Sequence, residues 1–121
     1  MTDPYYDAVS ALLADADNTV TADRGETHGH LTDNFEQIAS FWSAYLGQEI
    51  DPVDVAMMMV LTKISRQRVG SRDMDHYEDI LGYGSIAGAF VEVGERKEGE
   101  LRDEIFELFS GLDGDEKPER S

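Results

Sequence analysis

The stretch DNFEQIASFWSAYLGQEIDPVDVAMMMVLTKISRQRVG, residues 33–70, carries two helices with their start and stop signals in order. Asp33 and Glu36 form a capping-box pattern, with Asp in place of Ser or Thr. Phe35, Ile38, Ala39, Trp42, Tyr45 and Leu46 then supply an apolar stripe before Gly47 stops the helix. Asp51-Pro52 repeats the start signal, an N-cap followed by proline at the first helical position, and the segment after it reads as a long helix ending at Gly70. Val53, Ala56, Met57, Val60, Leu61 and Ile64 are its expected inward face. Lys63, Arg66 and Arg68 in its last turns complement the negative end of the helix dipole.

The flanks extend the same pattern. Upstream, Asp3-Pro4 opens a helix expected over Pro4 to Ala16, with Tyr5, Val9, Leu12, Leu13 and Ala16 on one face. From Asp17 to Thr32 the chain is polar, with Gly25 and Gly29 and no apolar periodicity, and reads as a long loop. Downstream, a fourth helix is expected from Met74 to about Val93, with Ile80, Leu81, Ile86, Ala87 and Phe90 inward. Gly82, Gly84 and Gly88 weaken a helix interior by about 1 kcal/mol each, and the close approach of a neighbouring helix is the simplest reason for them. Leu101, Ile105, Leu108 and Phe109 define a fifth amphipathic helix ending at Gly111, ahead of a charged tail. The expectation is an all-α antiparallel bundle of four to five helices, one domain over residues 1–111 with a flexible acidic tail over 112–121.

Composition bounds the function. The 121 residues include 26 acidic and 10 basic side chains, a formal charge of −16, and only Lys63, Lys97 and Lys117 are lysines. Such a surface repels itself in dilute buffer, whereas in molar salt the screening length falls to about 3 Å. A halophilic host follows as the leading explanation. The same charge argues against binding nucleic-acid phosphates, whose affinity comes from Lys and Arg. It leaves open a mimic of DNA, but helical periodicity does not gather the acids on one face. No apolar run approaches the roughly 18 residues of a membrane span, and the N-terminus is acidic where a signal peptide is basic, so a cytoplasmic protein is expected. The absence of cysteine removes disulfides, thiolate metal sites and thiol catalysis.

Three groups of residues have chemistry to offer. Asp75 and Asp79 stand one turn apart on the fourth helix, and with Asp54 as a third ligand they form the oxygen set that suits Mg²⁺. The competing reading is three solvated acids in a chain rich in them. Lys63 and Arg66 lie beside the start of the fourth helix, either as an interhelical ion pair with Asp75 or Asp79 or as a grip on a triphosphate. His28 and His30 share the long loop with Arg24. An H-x-H pair can ligate a transition metal, or the loop can cover a nucleotide with Arg24 on phosphate, though loop histidines are more often simply exposed. Trp42 and the run Met57, Met58, Met59 read as core.

In order, RGETHGHLTDNF, IASFWSAYLGQEI, DPVDVAMMMVLTKISR and DMDHYEDILGYGSIAGAF resemble a family of small uncharacterised domains of tailed phages and prophages, over Arg24 to Phe90. EDILGYGSIA is also similar to the second acidic helix of the MazG-like all-α nucleotide pyrophosphohydrolases, which matches Asp79 to a metal-binding aspartate. Asp75 stands one residue farther away than that pattern has it, and Asp51 with Asp54 or Asp33 with Glu36 are the candidates for the first pattern. The MazG-like resemblance implies a nucleoside triphosphate pyrophosphohydrolase in which Asp54, Asp75 and Asp79 hold Mg²⁺. Lys63, Arg66 and Arg24 would hold phosphates, and His28, His30 and Asn34 would line the entrance. The alternative is a non-catalytic helical interaction or oligomerisation module, acting as a homo-oligomer or on a host or virion protein.

Overall fold

The structure, a computed structural model, describes residues 3–23 and 30–113. Helix α1 spans Pro4–Asn18 and passes into a π-helical turn, Thr19–Asp23. Helices α2 (Leu31–Leu46), α3 (Pro52–Val69) and α4 (Met74–Asp113) follow, and there is no strand among the described residues. Two compact units are distinguished, Met1–Ala89 and Phe90–Ser121, and the domain expected over 1–111 spans both. Helices α1 to α3 and the first part of α4 form the first unit, which is a helical bundle.

Local chemistry sets most boundaries. The Asp3 side chain accepts from the Tyr5 amide at 2.8 Å, so Pro4 sits where no amide hydrogen is needed. Gly47 ends α2 with φ +66°, a backbone state that L side chains rarely adopt. Ser43 then locks the turn, its hydroxyl donating to the Ala39 carbonyl at 2.7 Å and accepting from the Ile50 amide at 2.9 Å. At the start of α3, Asp51 accepts from the Asp54 amide (2.8 Å) and Asp54 accepts from the Asp51 amide (3.1 Å), a reciprocal capping box.

Several expectations are corrected. The segment expected to be a loop from Asp17 is helical to Asp23, and α2 begins at Leu31. His30 is the N-cap of α2, without a side-chain cap bond, so Asp33 and Glu36 lie within the helix rather than boxing its end. Asp33, in the first turn, still suits that end of the dipole by its charge. The fourth and fifth helices are one. Between Val93 and Leu101 the chain is dense in Glu, Lys and Arg, and the Glu92–Arg96 pair at 3.0 Å supports the helix there, so Gly94 and Gly99 do not break it. Nor does Gly111, since the helix continues to Asp113.

The core gathers Ala16, Phe35, Ala39, Val55, Ala56, Ile86 and Ala87, and the Phe35 ring tilts against Tyr83 with centroids 6.4 Å apart. Helix α3 is rotated from its expected setting. Val55 and Ala56 are fully buried, whereas Met57, Leu61 and Ile64 face solvent. Residues 53 to 61 are apolar at almost every position, so periodicity alone does not choose a side. On α1 only Ala16 is buried, while Tyr5, Val9 and Leu13 are exposed, and on α2 Tyr45 and Leu46 are likewise exposed.

Candidate functional site

Helices α3 and α4 run antiparallel, and their facing polar residues form a ladder. Lys63 Nζ lies 2.9 Å from Asp79 Oδ2, and one turn on in α3 and two residues back in α4 the Tyr77 hydroxyl donates to Gln67 Oε1 at 3.2 Å. The Lys63 side chain is the more buried partner, 14% exposed against 32% for Asp79. Beside this ladder the Thr19 hydroxyl, on the π-helical turn, donates to Glu78 Oε1. Thr19, Val20, Glu78, Asp79 and Tyr83 line a cleft of about 20 Å³, room for a single water. A nucleotide does not fit it in this conformation.

Two of the expected site residues, Lys63 and Asp79, are in direct contact, which realises the interhelical ion pair. Asp75 lies on the first turn of α4, exposed, one turn before Asp79. Asp54 is elsewhere. It is engaged in the capping box at the opposite end of α3, nine residues before Lys63 and so about 13 Å away along the axis. Among the described residues no three acidic or histidine side chains gather as a metal site, so the expected convergence of Asp54, Asp75 and Asp79 is not what the structure brings together. Arg66 is exposed one turn beyond Lys63. His30 and Asn34 share the first turn of α2, where the Asn34 amide donates to the His30 carbonyl at 3.1 Å. Arg24 and His28 lie outside the described residues.

Sequence reasoning passed over Glu78, Thr19, Gln67 and Tyr77. Glu78 was visible as the acid next to Asp79, but Thr19 falls where the chain reads as a loop, so their hydrogen bond had no signal. A second feature of the first unit is an apolar groove of about 280 Å³, lined by Val9, Leu12 and Leu13 of α1 and Tyr77, Ile80 and Leu81 of α4. No helix among the described residues is long and apolar enough to cross a membrane.

Comparison with known proteins places these features. A domain family of unknown function, DUF6378, matches residues 11–91, which takes in every residue of the ladder. The gene 55 protein of Mycobacterium phage D29 is 35% identical over 92 residues, 76% of this chain and 60% of that protein. The gene 55 protein of Mycobacterium phage L5 is 36% identical over 77 residues, 63% of this chain and 49% of that protein. The chain thus spans about half to three-fifths of the length of these relatives. No solved structure matches.

Proposed function

This chain belongs to the DUF6378 family and is related to phage proteins, and from that premise we propose that it is a helical interaction module of a virus or provirus, working by docking its exposed apolar helix faces on another protein surface. One observation carries the reading. Helix α3, in the middle of the family's matched span, buries Val55 and Ala56 on one side and leaves Met57, Leu61 and Ile64 in solvent on another. Contiguous apolar surface of this kind marks contact sites. In the first unit Tyr5, Val9 and Leu13 of α1 are exposed as well, and the second unit, taken by itself, exposes Leu101, Ile105, Leu108 and Phe109. The −16 charge supports a host cytoplasm rich in salt, where such faces associate without long-range repulsion. Sedimentation from about 1 to 500 µM in 2 M KCl tests the module. Assembly is expected, and a chain that stays monomeric throughout and is recovered alone from expressing cells would sink the reading.

A second reading, the MazG-like triphosphate pyrophosphohydrolase, is favoured by the Lys63–Asp79 contact beside Glu78 and the exposed Asp75. Mg²⁺ is commonly held by one or two carboxylates together with substrate phosphates, so Asp75 and Asp79 are the pair this reading keeps, and Asp54 leaves it for the capping box. Lys63 and Arg66 would serve the phosphates once the cleft opens. Released pyrophosphate from a panel of triphosphates with Mg²⁺ or Mn²⁺ in 2 M KCl decides it, since turnover abolished by Asp79→Asn is expected only of the enzyme. A nucleotide-dependent rise in melting temperature separates the two readings independently.

A further inference from the structure

Asp54, Met57, Leu61, Ile64 and Arg68 occupy successive positions of one row along α3, at spacings of three, four, three and four residues. That is the spacing of a seam made for a second helix. The row is not packed in the structure: Met57 is 49% exposed, Leu61 61% and Ile64 41%, and Asp54 and Arg68 at its ends are exposed too. It is apolar at the centre, with a carboxylate at one end and a guanidinium at the other, about 21 Å apart along the axis. Leu61 stands midway between those ends.

A row with opposite charges equidistant from an apolar midpoint is complementary to itself when turned end for end. We infer that α3 pairs antiparallel with α3 of a second copy about a two-fold axis near Leu61, so that Asp54 of each copy faces Arg68 of the other. Parallel pairing would set Asp54 against Asp54 and Arg68 against Arg68. The charge along the chain favours the same surface. Helix α3 carries Asp54 against Lys63, Arg66 and Arg68, the one helix among the described residues with more basic than acidic side chains, and so the place where a second acidic copy meets least repulsion. This pairing rests on the interaction reading and names its partner. It leaves Lys63 free to keep its contact with Asp79, because Lys63 lies on the buried side of α3. A contact between two single helices is small for an interface, and half-association at roughly 10–100 µM is the expected strength.

The cysteine-free sequence makes the test clean, because each introduced thiol is the only one. In the antiparallel register Met57 faces Ser65 and Leu61 faces itself. With oxidised glutathione in 2 M KCl, Leu61→Cys should link to itself, and a mixture of Met57→Cys and Ser65→Cys should give linked pairs holding one of each, about fivefold over either variant alone. Leu61→Glu should be monomeric at about 0.5 mM with unchanged helical circular dichroism. Efficient linkage of Met57→Cys to itself and of Ser65→Cys to itself overturns the antiparallel register. A dimer that survives Leu61→Glu overturns α3 pairing while the interaction reading stands. A wild-type chain that stays monomeric overturns α3 pairing, and one that is also recovered alone from expressing cells overturns the interaction reading as well.

Discussion

Lys63 Nζ and Asp79 Oδ2, 2.9 Å apart, tie the second half of α3 to the start of α4, and the two partners are unequally buried. The energetic consequence is asymmetric. Asp79→Asn leaves the more buried ammonium without its counter-charge, whereas Lys63→Met leaves a carboxylate with easier access to water. Urea unfolding should therefore show Asp79→Asn costing about 2 kcal/mol and Lys63→Met about 1 kcal/mol, with a coupling of about 1 kcal/mol in a double-mutant cycle at 0.2 M salt. Equal losses, or a coupling near zero, would contradict the pairing.

The three glycines early in α4 should separate. A methyl group at Gly82 would meet Val20 Cγ2 at 3.2 Å, while at Gly84 and Gly88 it would meet nothing within 4 Å. Only Gly82 has the packing reason anticipated for all three. Gly84→Ala and Gly88→Ala are expected to stabilise by about 0.5–1 kcal/mol through helix propensity. Gly82→Ala should lose that gain to the contact, and Val20→Ala in the same chain should restore it. Thermal melting of the four variants measures the contrast.

How much was legible follows from the same elements. The α2–α3 hairpin was readable because Gly47, Asp51-Pro52 and Gly70 are punctuation with a local cause, and local causes need no knowledge of the rest of the fold. The facing of α3 was not, since apolar residues surround its first half and only the tertiary fold selects Val55 and Ala56 for the core that also holds Phe35, Ala39 and Ile86. Asp54 was ambiguous for a chemical reason. An aspartate three residues after an N-cap aspartate fits a metal pair and a capping box equally, and the backbone amides won. The Lys63–Asp79 contact was one of two pairings the short α3–α4 turn allowed, and the structure makes that one.

Gly47 gives a prediction free of packing. Its φ of +66° is the only positive value among the described residues, and a Cβ there would touch nothing within 4 Å. The cost of Gly47→Ala is then backbone strain alone, about 1–2 kcal/mol, with Gly47→Asn losing less because asparagine tolerates this region better. A chevron or urea curve in which alanine equals asparagine would mean that the turn relaxes to another conformation.

Stability should rise with salt by screening, and the second unit should respond first. From Glu92 to Glu107 the helix carries seven acids against Arg96, Lys97 and Arg102, and most of its apolar side chains are exposed. Little burial offsets the repulsion there, so the helix depends on a short screening length, which changes from about 10 Å at 0.1 M to about 3 Å at 1 M salt. Helical circular dichroism should therefore grow between 0.1 and 3 M KCl, and the melting temperature should climb by several degrees. Sucrose at equal osmolality separates the causes, because it strengthens burial by exclusion without screening charge. If screening dominates, sucrose reproduces only a small part of the rise. A helical signal that is flat in KCl would mean that the glutamates of α4 are already neutralised by their neighbours, and the acidic surface would then need a different explanation.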